Sequence, residues 1–516
     1  MTDSHDGRVG VLVEPVLRLD DSQVERIHET SLRILERIGI LCYSSEAAEI
    51  YRGAGCFVRE DTHGADLVKL PPRMVEECLE KAPSQVVLGA RDPQNMLVLN
   101  AEEPRVRFGS GSEANIYLDM KPAEFRRVDG EEVIEHPVFE RRRGTVELLC
   151  QAARLCQQLD NLDFFIRTVN IQDPDIEEKD KDVNKFFASL NNIDKHVMAG
   201  LTSLESLDAV IRMGELIAGG EDELRHNPVL SFITCVAKSP LQFVEDSARK
   251  MMKIVRRGMP VVISSSPQGG STAPITEEGM VAQINAEIIA GVTLSQLVRP
   301  GAPVLYGSVP VRARMDDLND LYGAPEFCQY NIDCVQMARF YGLPCYSTAG
   351  VGDAKVPGVQ ATVEKLLSHI SVPMSGAQYV HYSFGLLEKT NVFSPDQAVL
   401  DDALIGAVKH MLKKPNIDQG SLDEAFDQIE KVIATNHKLY ARYTRKGIRS
   451  GTIFKPYFFD SKEEKDLAVL KAYRRRCQIM EAETHHLDPV VVESIYEEIP
   501  GIVERINPYI KEDING

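Results

Sequence analysis

Tryptophan is absent from this 516-residue chain, so aromatic recognition falls to its 16 tyrosines and 18 phenylalanines. Basic charge is scarce as well. With 58 Lys and Arg against 77 Asp and Glu the formal net charge is −19, whereas a polyanionic partner requires clustered cations to displace its counterions; nucleic acid is excluded as a partner. The short basic runs at 141–143 and 474–476 read as solvated helix faces. The amino-terminal MTDSHDGRVG has no apolar segment behind a basic one, so no signal peptide is read, and no run of about 18 apolar residues is expected to span a bilayer. CxxC spacing is missing among the ten cysteines, the pattern of reduced, packed thiols in a cytoplasmic protein. Zinc sites need Cys/His clusters of defined spacing, but Cys334 and Cys345 stand isolated and His485-His486 lies in a charged segment. No metal is expected.

What is present is a large apolar complement, 43% of the residues, enough for two or more domains or for one barrel with extensions. The stretch 264–308 is the most informative. An apolar strand at 261–264 runs into a Gly/Ser/Thr/Pro loop, then a long helix, then Pro300-Gly301 and a second apolar strand at 304–306. The same alternation extends along the chain, with strands expected at 106–108, 116–118, 164–169, 197–201, 229–235, 261–264, 304–306, 345–347 and 377–382. A spacing of about 30–40 residues fits a TIM (β/α)8 barrel; an open doubly wound sheet is the alternative. The expected organisation is an N-terminal helical extension over 1–104, the barrel over 105–395 and a C-terminal helical extension over 396–516. Asp21 or Ser22 is the expected cap of a first helix that Gly39 ends, a second helix starts at Pro71-Pro72, and two short strand-like runs follow at 86–88 and 96–99.

Small and polar residues crowd the expected strand ends: 109–113, 264–272, Gly307-Ser308 and 349–353. Such residues keep a barrel mouth open and let backbone approach a ligand. Gly269-Gly270-Ser271-Thr272 lacks both the P-loop lysine and GxGxxG spacing, so a phosphate site is only weakly indicated. A corrinoid-binding DxHxxG segment is missing too, since the near match at Asp3-Ser4-His5 has Arg8 in place of the glycine. Polar and aromatic candidates at the mouth are Glu113, Tyr306, Arg312, Tyr322, Glu326, Tyr330, Tyr346, Asp353, Lys355, His381 and Phe384. Together they offer what a quaternary ammonium needs, aromatic faces and nearby carboxylates.

Several segments together resemble the trimethylamine methyltransferase family: FGSGSEANIYLD from Phe108, LNNIDKHVMAGL from Leu190, the SPL at Ser239, the 264–308 unit, MDDLNDLYGAPE from Met315, YGLPCYSTAGVGDAKVPGVQATVEK from Tyr341 and MSGAQYVHYSFGLLEKTNVFSPDQAVLDD from Met374. The similarity spans roughly residues 20–410. It departs at Gly358, where an acidic residue commonly follows the Asp-Ala-Lys segment. The resemblance implies a TIM barrel that binds a methylated amine and docks a separate corrinoid protein, passing one methyl group to Co(I). Members acting on trimethylamine carry pyrrolysine, and members without it act on quaternary amines such as betaines; only standard residues occur here. The expected reaction is therefore methyl transfer from a quaternary amine, glycine betaine first, to a corrinoid supplied by a partner protein, in a cytoplasmic homo-oligomer. Glu326 or Asp353 would balance the ammonium, with His381 beside them or facing the docked corrinoid. Tyr306, Tyr330, Tyr346 and Phe384 would surround the methyls, and Arg312 or Lys355 would pair a substrate carboxylate. Two alternatives stay open: a lyase or aldolase forming an imine on Lys355, and a betaine-binding or corrinoid-docking module without turnover.

Overall fold

The computed structural model describes residues 9–60, 64–121, 125–128, 131–134, 137–415, 417–435, 439–455 and 468–510; Asp3, Ser4, His5 and Arg8 lie outside them. Eight short strands carry the architecture: β1 Arg105–Phe108, β2 Phe164–Ile166, β3 His196–Ala199, β4 Leu230–Cys235, β5 Val261–Ser265, β6 Val304–Ser308, β7 Cys345–Thr348 and β8 Tyr379–His381. From β2 through β8 each strand pairs in parallel with the next, and β8 pairs in parallel with β1. Val11–Leu12 adds an antiparallel ninth strand to β1. The sheet curls until its far end returns to β1. There Gly109 and Phe164 form an isolated parallel bridge, Asp163 N–H donates to Phe108 O at 2.7 Å, and Ser110 Oγ both donates to Ile166 O (2.7 Å) and accepts from Ile166 N–H (3.0 Å).

Both faces of this sheet are covered, so its strands are apolar at consecutive positions rather than alternately. Val262, Leu305, Met198, Ile166, Phe164, Tyr346 and Tyr379 form one cluster inside the curl. Val261, Ile263, Val304, Tyr306 and Phe232 belong to the larger cluster shared with the surrounding helices. A hairpin, Gln85–Leu88 with Leu97–Asn100, sends Val86, Leu88, Leu97 and Leu99 into the inner cluster. It sits beneath the N-terminal strand ends: His196 Nδ1 meets Gly89 O at 2.6 Å and Gln378 Nε2 donates to Asn100 O at 3.2 Å. The opposite, C-terminal end is left as the mouth.

The helix Glu277–Val298 lies between β5, β6 and the N-terminal helices Asp21–Arg33, Ser45–Gly53 and Pro72–Lys81. Burial on all sides explains why it is apolar all round. Among the described residues it is the one helix long and apolar enough to cross a membrane by length and composition, yet 83% of its apolar window is buried in the protein. Its buried Glu287 accepts from Ser239 Oγ (2.7 Å), Leu241 N–H (2.9 Å), Gln283 Nε2 (3.1 Å) and Ser265 Oγ.

Four expectations change in detail. The basic run 141–143 lies on the strand Val138–Arg143 rather than on a helix face. The first helix is capped by Asp20, in a reciprocal box with Gln23, rather than by Asp21 or Ser22. The helix Ser45–Gly53 and the strands Phe57–Glu60 and Asp66–Lys69 were not anticipated. Ile116–Lys121 is a strand but not of the main sheet: it pairs with Val138–Arg143 and Val392–Phe393 outside it.

Candidate functional site

A column of rings rises through the interior of the curl. Tyr379 stacks on Phe164 with centroids 3.4 Å apart, Tyr346 lies 5.7 Å from Tyr379, and His381 stacks on Tyr346 at 4.0 Å. Tyr382 continues the column toward the mouth, 3.9 Å from His381. The register sets this order, since Tyr346 pairs with Tyr379 and Thr348 with His381 across β7 and β8. Gly109 and Gly111, just after the end of β1, make room for them. A Cβ at Gly109 would fall 2.0 Å from Phe164 Cε2, and one at Gly111 would fall 2.6 Å from Tyr382 Cδ1 and 3.3 Å from His381 Nδ1.

The tautomer of His381 follows from its neighbours. Thr348 Oγ1 donates its single proton to Ser308 O at 3.1 Å, so it accepts from His381 Nε2 at 2.7 Å. Nδ1 is left as a bare acceptor, buried and without a partner among the described residues. Burial holds the imidazole pKa well below its usual value, and it pushes the phenols of Tyr346 and Tyr382 upward. The column is therefore neutral, electron-rich and without a proton ready to give.

On the other side of the mouth, Cys235 Sγ lies 3.1 Å from Ser264 Oγ. The thiol is solvent-accessible, and burial by the surrounding walls raises its pKa, as at the bottom of a concavity. Gly307 permits close strand approach, for a Cβ there would stand 2.8 Å from Ser264 Cβ. Above β2, the Arg167 side chain is 5% exposed and pairs with Glu113, which is 47% exposed. Arg167 Nη1 also donates to Gly200 O at 3.2 Å. A Cβ at Gly200 would come within 3.7 Å of Glu113 Oε1 and 3.9 Å of Ile233 Cγ2, and Ile233 packs on the inner cluster. The pair thus stands over the interior.

The expected residues are dispersed. His381 and Tyr346 are in the ring column. Arg312, on the short strand Val311–Ala313, sits with Glu326 and Tyr330 of the helix Pro325–Phe340: Arg312 Nη1 lies 3.4 Å from both Glu326 oxygens, and Tyr330 Oη donates to Ile275 O at 2.6 Å. Asp353, after β7, accepts from Gly323 N–H (2.7 Å) and Tyr322 N–H (3.2 Å) while burial raises its pKa. Tyr306 and Phe384 do not face the mouth. Both lie fully buried in the strand–helix layer, where Tyr306 Oη donates to Asn285 Oδ1 at 2.9 Å. Lys355, on which imine chemistry would rest, is exposed. Tyr379, Tyr382, Thr348 and Arg167 were missed; the run from Tyr379 to Tyr382 at a strand end is the signal that points to the first two. No group of three or more His, Cys, Asp or Glu that could hold a metal ion occurs among the described residues.

This α/β frame with its ring-lined interior coincides with one sequence family. The family model described as trimethylamine methyltransferase (MTTB) matches residues 9–468, and the chain belongs to that family. It is 31% identical over 412 residues to the trimethylamine methyltransferase MttB of Desulfitobacterium hafniense, covering 80% of this chain and 78% of that one. To a glycine betaine methyltransferase of another strain of that species it is 29% identical over 439 residues, covering 85% and 86%. MttB1 of Methanosarcina mazei, also a trimethylamine methyltransferase, is 30% identical over 427 residues, covering 82% and 81%.

Proposed function

We propose that this methyltransferase moves one methyl group from a quaternary amine, glycine betaine first, to Co(I) of a corrinoid carried by a separate protein. The observation that carries the reading is the neutral ring column ending at His381 and Tyr382. A quaternary ammonium is attracted to such faces, with about 0.5–2 kcal/mol per contact. Similarity to a glycine betaine methyltransferase over most of both chains supports the same class of substrate.

The balance of the reaction suits the site. The nucleophilic Co(I) forms a bond to the methyl carbon, the C–N bond breaks, and its electron pair stays on nitrogen. A tertiary amine leaves neutral, and no proton is consumed. The chain's work is then to bind, orient and exclude water. We further propose that the curled sheet is a closed (β/α)8 barrel, its N-terminal end stopped by the 85–100 hairpin and its C-terminal mouth open to the corrinoid protein. Trimethylamine is a poorer donor, because its departure would require expelling an amide-like anion, and no electrophile that would make it quaternary stands among the standard residues of the sequence.

The test is spectroscopic. Purified chain, a corrinoid protein reduced to Co(I) and glycine betaine should give the methyl–Co(III) spectrum, and trimethylamine should give none. Equal rates from the two amines would overturn the assignment.

A further inference from the structure

Arg167 presents a guanidinium that its neighbours do not complete. Its Nη1 is used by Gly200 O and its Nη2 by Glu113, but Nε is buried with no partner among the described residues. Nε and Nη2 form the edge of a guanidinium that takes a carboxylate side-on through two parallel hydrogen bonds. Glu113 is the carboxylate set against that edge, and Nε is left over. Asp182, the buried carboxylate whose charge acts on Arg167, is already engaged: it accepts from Thr202 N–H (2.9 Å) and Ser203 N–H (2.8 Å) and pairs with Lys185 at 2.5 Å. Lys185 Nζ and Arg167 Nη1 both donate to Gly200 O, so two buried basic side chains meet there. The balancing Glu113 is half exposed, on a loop where Gly111 precedes Ser112 at φ +72°. Such a counter-ion is replaceable.

We propose that Arg167 is the carboxylate anchor of this site: a zwitterionic quaternary amine places its carboxylate on Nε and Nη2, displacing Glu113, while its ammonium meets the rings of His381 and Tyr382. The inference rests on the proposed function and narrows its substrate to quaternary amines that also carry a carboxylate. It moves that role from Arg312 and Lys355 to a residue over the interior. Burial lowers the guanidinium pKa to about 9, so it stays charged at neutral pH.

Calorimetry on the full chain with glycine betaine and with tetramethylammonium, which has no carboxylate, separates the two ends of the ligand. Arg167→Met should lower the preference for glycine betaine over tetramethylammonium by about 30- to 100-fold, the scale of a lost charge-assisted bidentate contact. Glu113→Gln removes the competitor and should raise that preference by about 3- to 10-fold. If Arg167→Met does not fold, the half-exposed Glu113→Gln decides alone. A preference unchanged in Glu113→Gln, or in a folded Arg167→Met, overturns the anchor. Methyl transfer to Co(I) is scored in parallel on the unaltered chain: intact transfer with an unmoved preference removes the anchor alone, whereas no transfer from any quaternary amine removes the proposed function.

Discussion

His381 shows how a single side chain is set by what surrounds it. Thr348 takes the Nε2 proton, Tyr346 covers one ring face, and Gly111 leaves Nδ1 open. Burial depresses the folded-state pKa below the ordinary value of 6.5. The sign follows directly. The unfolded chain takes up a proton near 6.5 that the folded chain refuses, so this stabilising contribution is complete above that pH and is lost on acidification toward the folded pKa. His381→Gln should therefore lose less stability than the unaltered protein below pH 6.5, the difference changing by about 1.4 kcal/mol per pH unit. Urea titrations of both proteins at several pH values between 7 and 5 measure it; parallel stability curves would mean that the imidazole is not held neutral.

At the scale of elements, the C-terminal helix Ala468–Met480 is fastened to the helix Pro395–Leu412 and to the strand Ile116–Lys121 through one cation. Arg476 pairs with Asp119 at 2.6 Å and with the fully buried Asp396 at 3.2 Å. Burial raises the Asp396 pKa to about 7, and Arg476 opposes that shift. Asp396 thus already holds its proton to higher pH in the folded state than in the unfolded chain, and without the guanidinium it would hold it to higher pH still. Its stabilising contribution is then complete below the unfolded pKa of 3.8 and is lost as pH rises through the folded value. Arg476→Ala should destabilise the protein by about 1–3 kcal/mol, more at pH 8 than at pH 6. Thermal denaturation at the two pH values provides the comparison, and a loss that is larger at pH 6 would contradict the pairing.

At the scale of the whole molecule, the mouth and the floor of the curled sheet are separable. Leu97 is fully buried in the inner cluster, on the hairpin beneath the N-terminal strand ends. Leu97→Ala should cost about 2–5 kcal/mol of stability through the cavity it leaves, with little effect on betaine affinity because the proposed ligand site is at the opposite end. A large loss of affinity at unchanged stability would place the ligand on the floor instead.

The sequence by itself determined the α/β class, the parallel strands and the family, because apolar runs, breakers and segment order are local or collinear properties. It did not determine which side of each strand a residue faces. Val304–Ser308 is buried at all five positions, so no polar alternation marks Leu305 as inward and Tyr306 as outward. The strand at 116–121 looked like the others, and only pairing with Val392–Phe393, far along the chain, removed it from the main sheet. Arg167 and Glu113 meet because β2 returns to β1. Those decisions belong to the tertiary structure: when both faces of a sheet are covered, hydrophobicity says that a residue is buried, and only strand register and long-range pairing say against what.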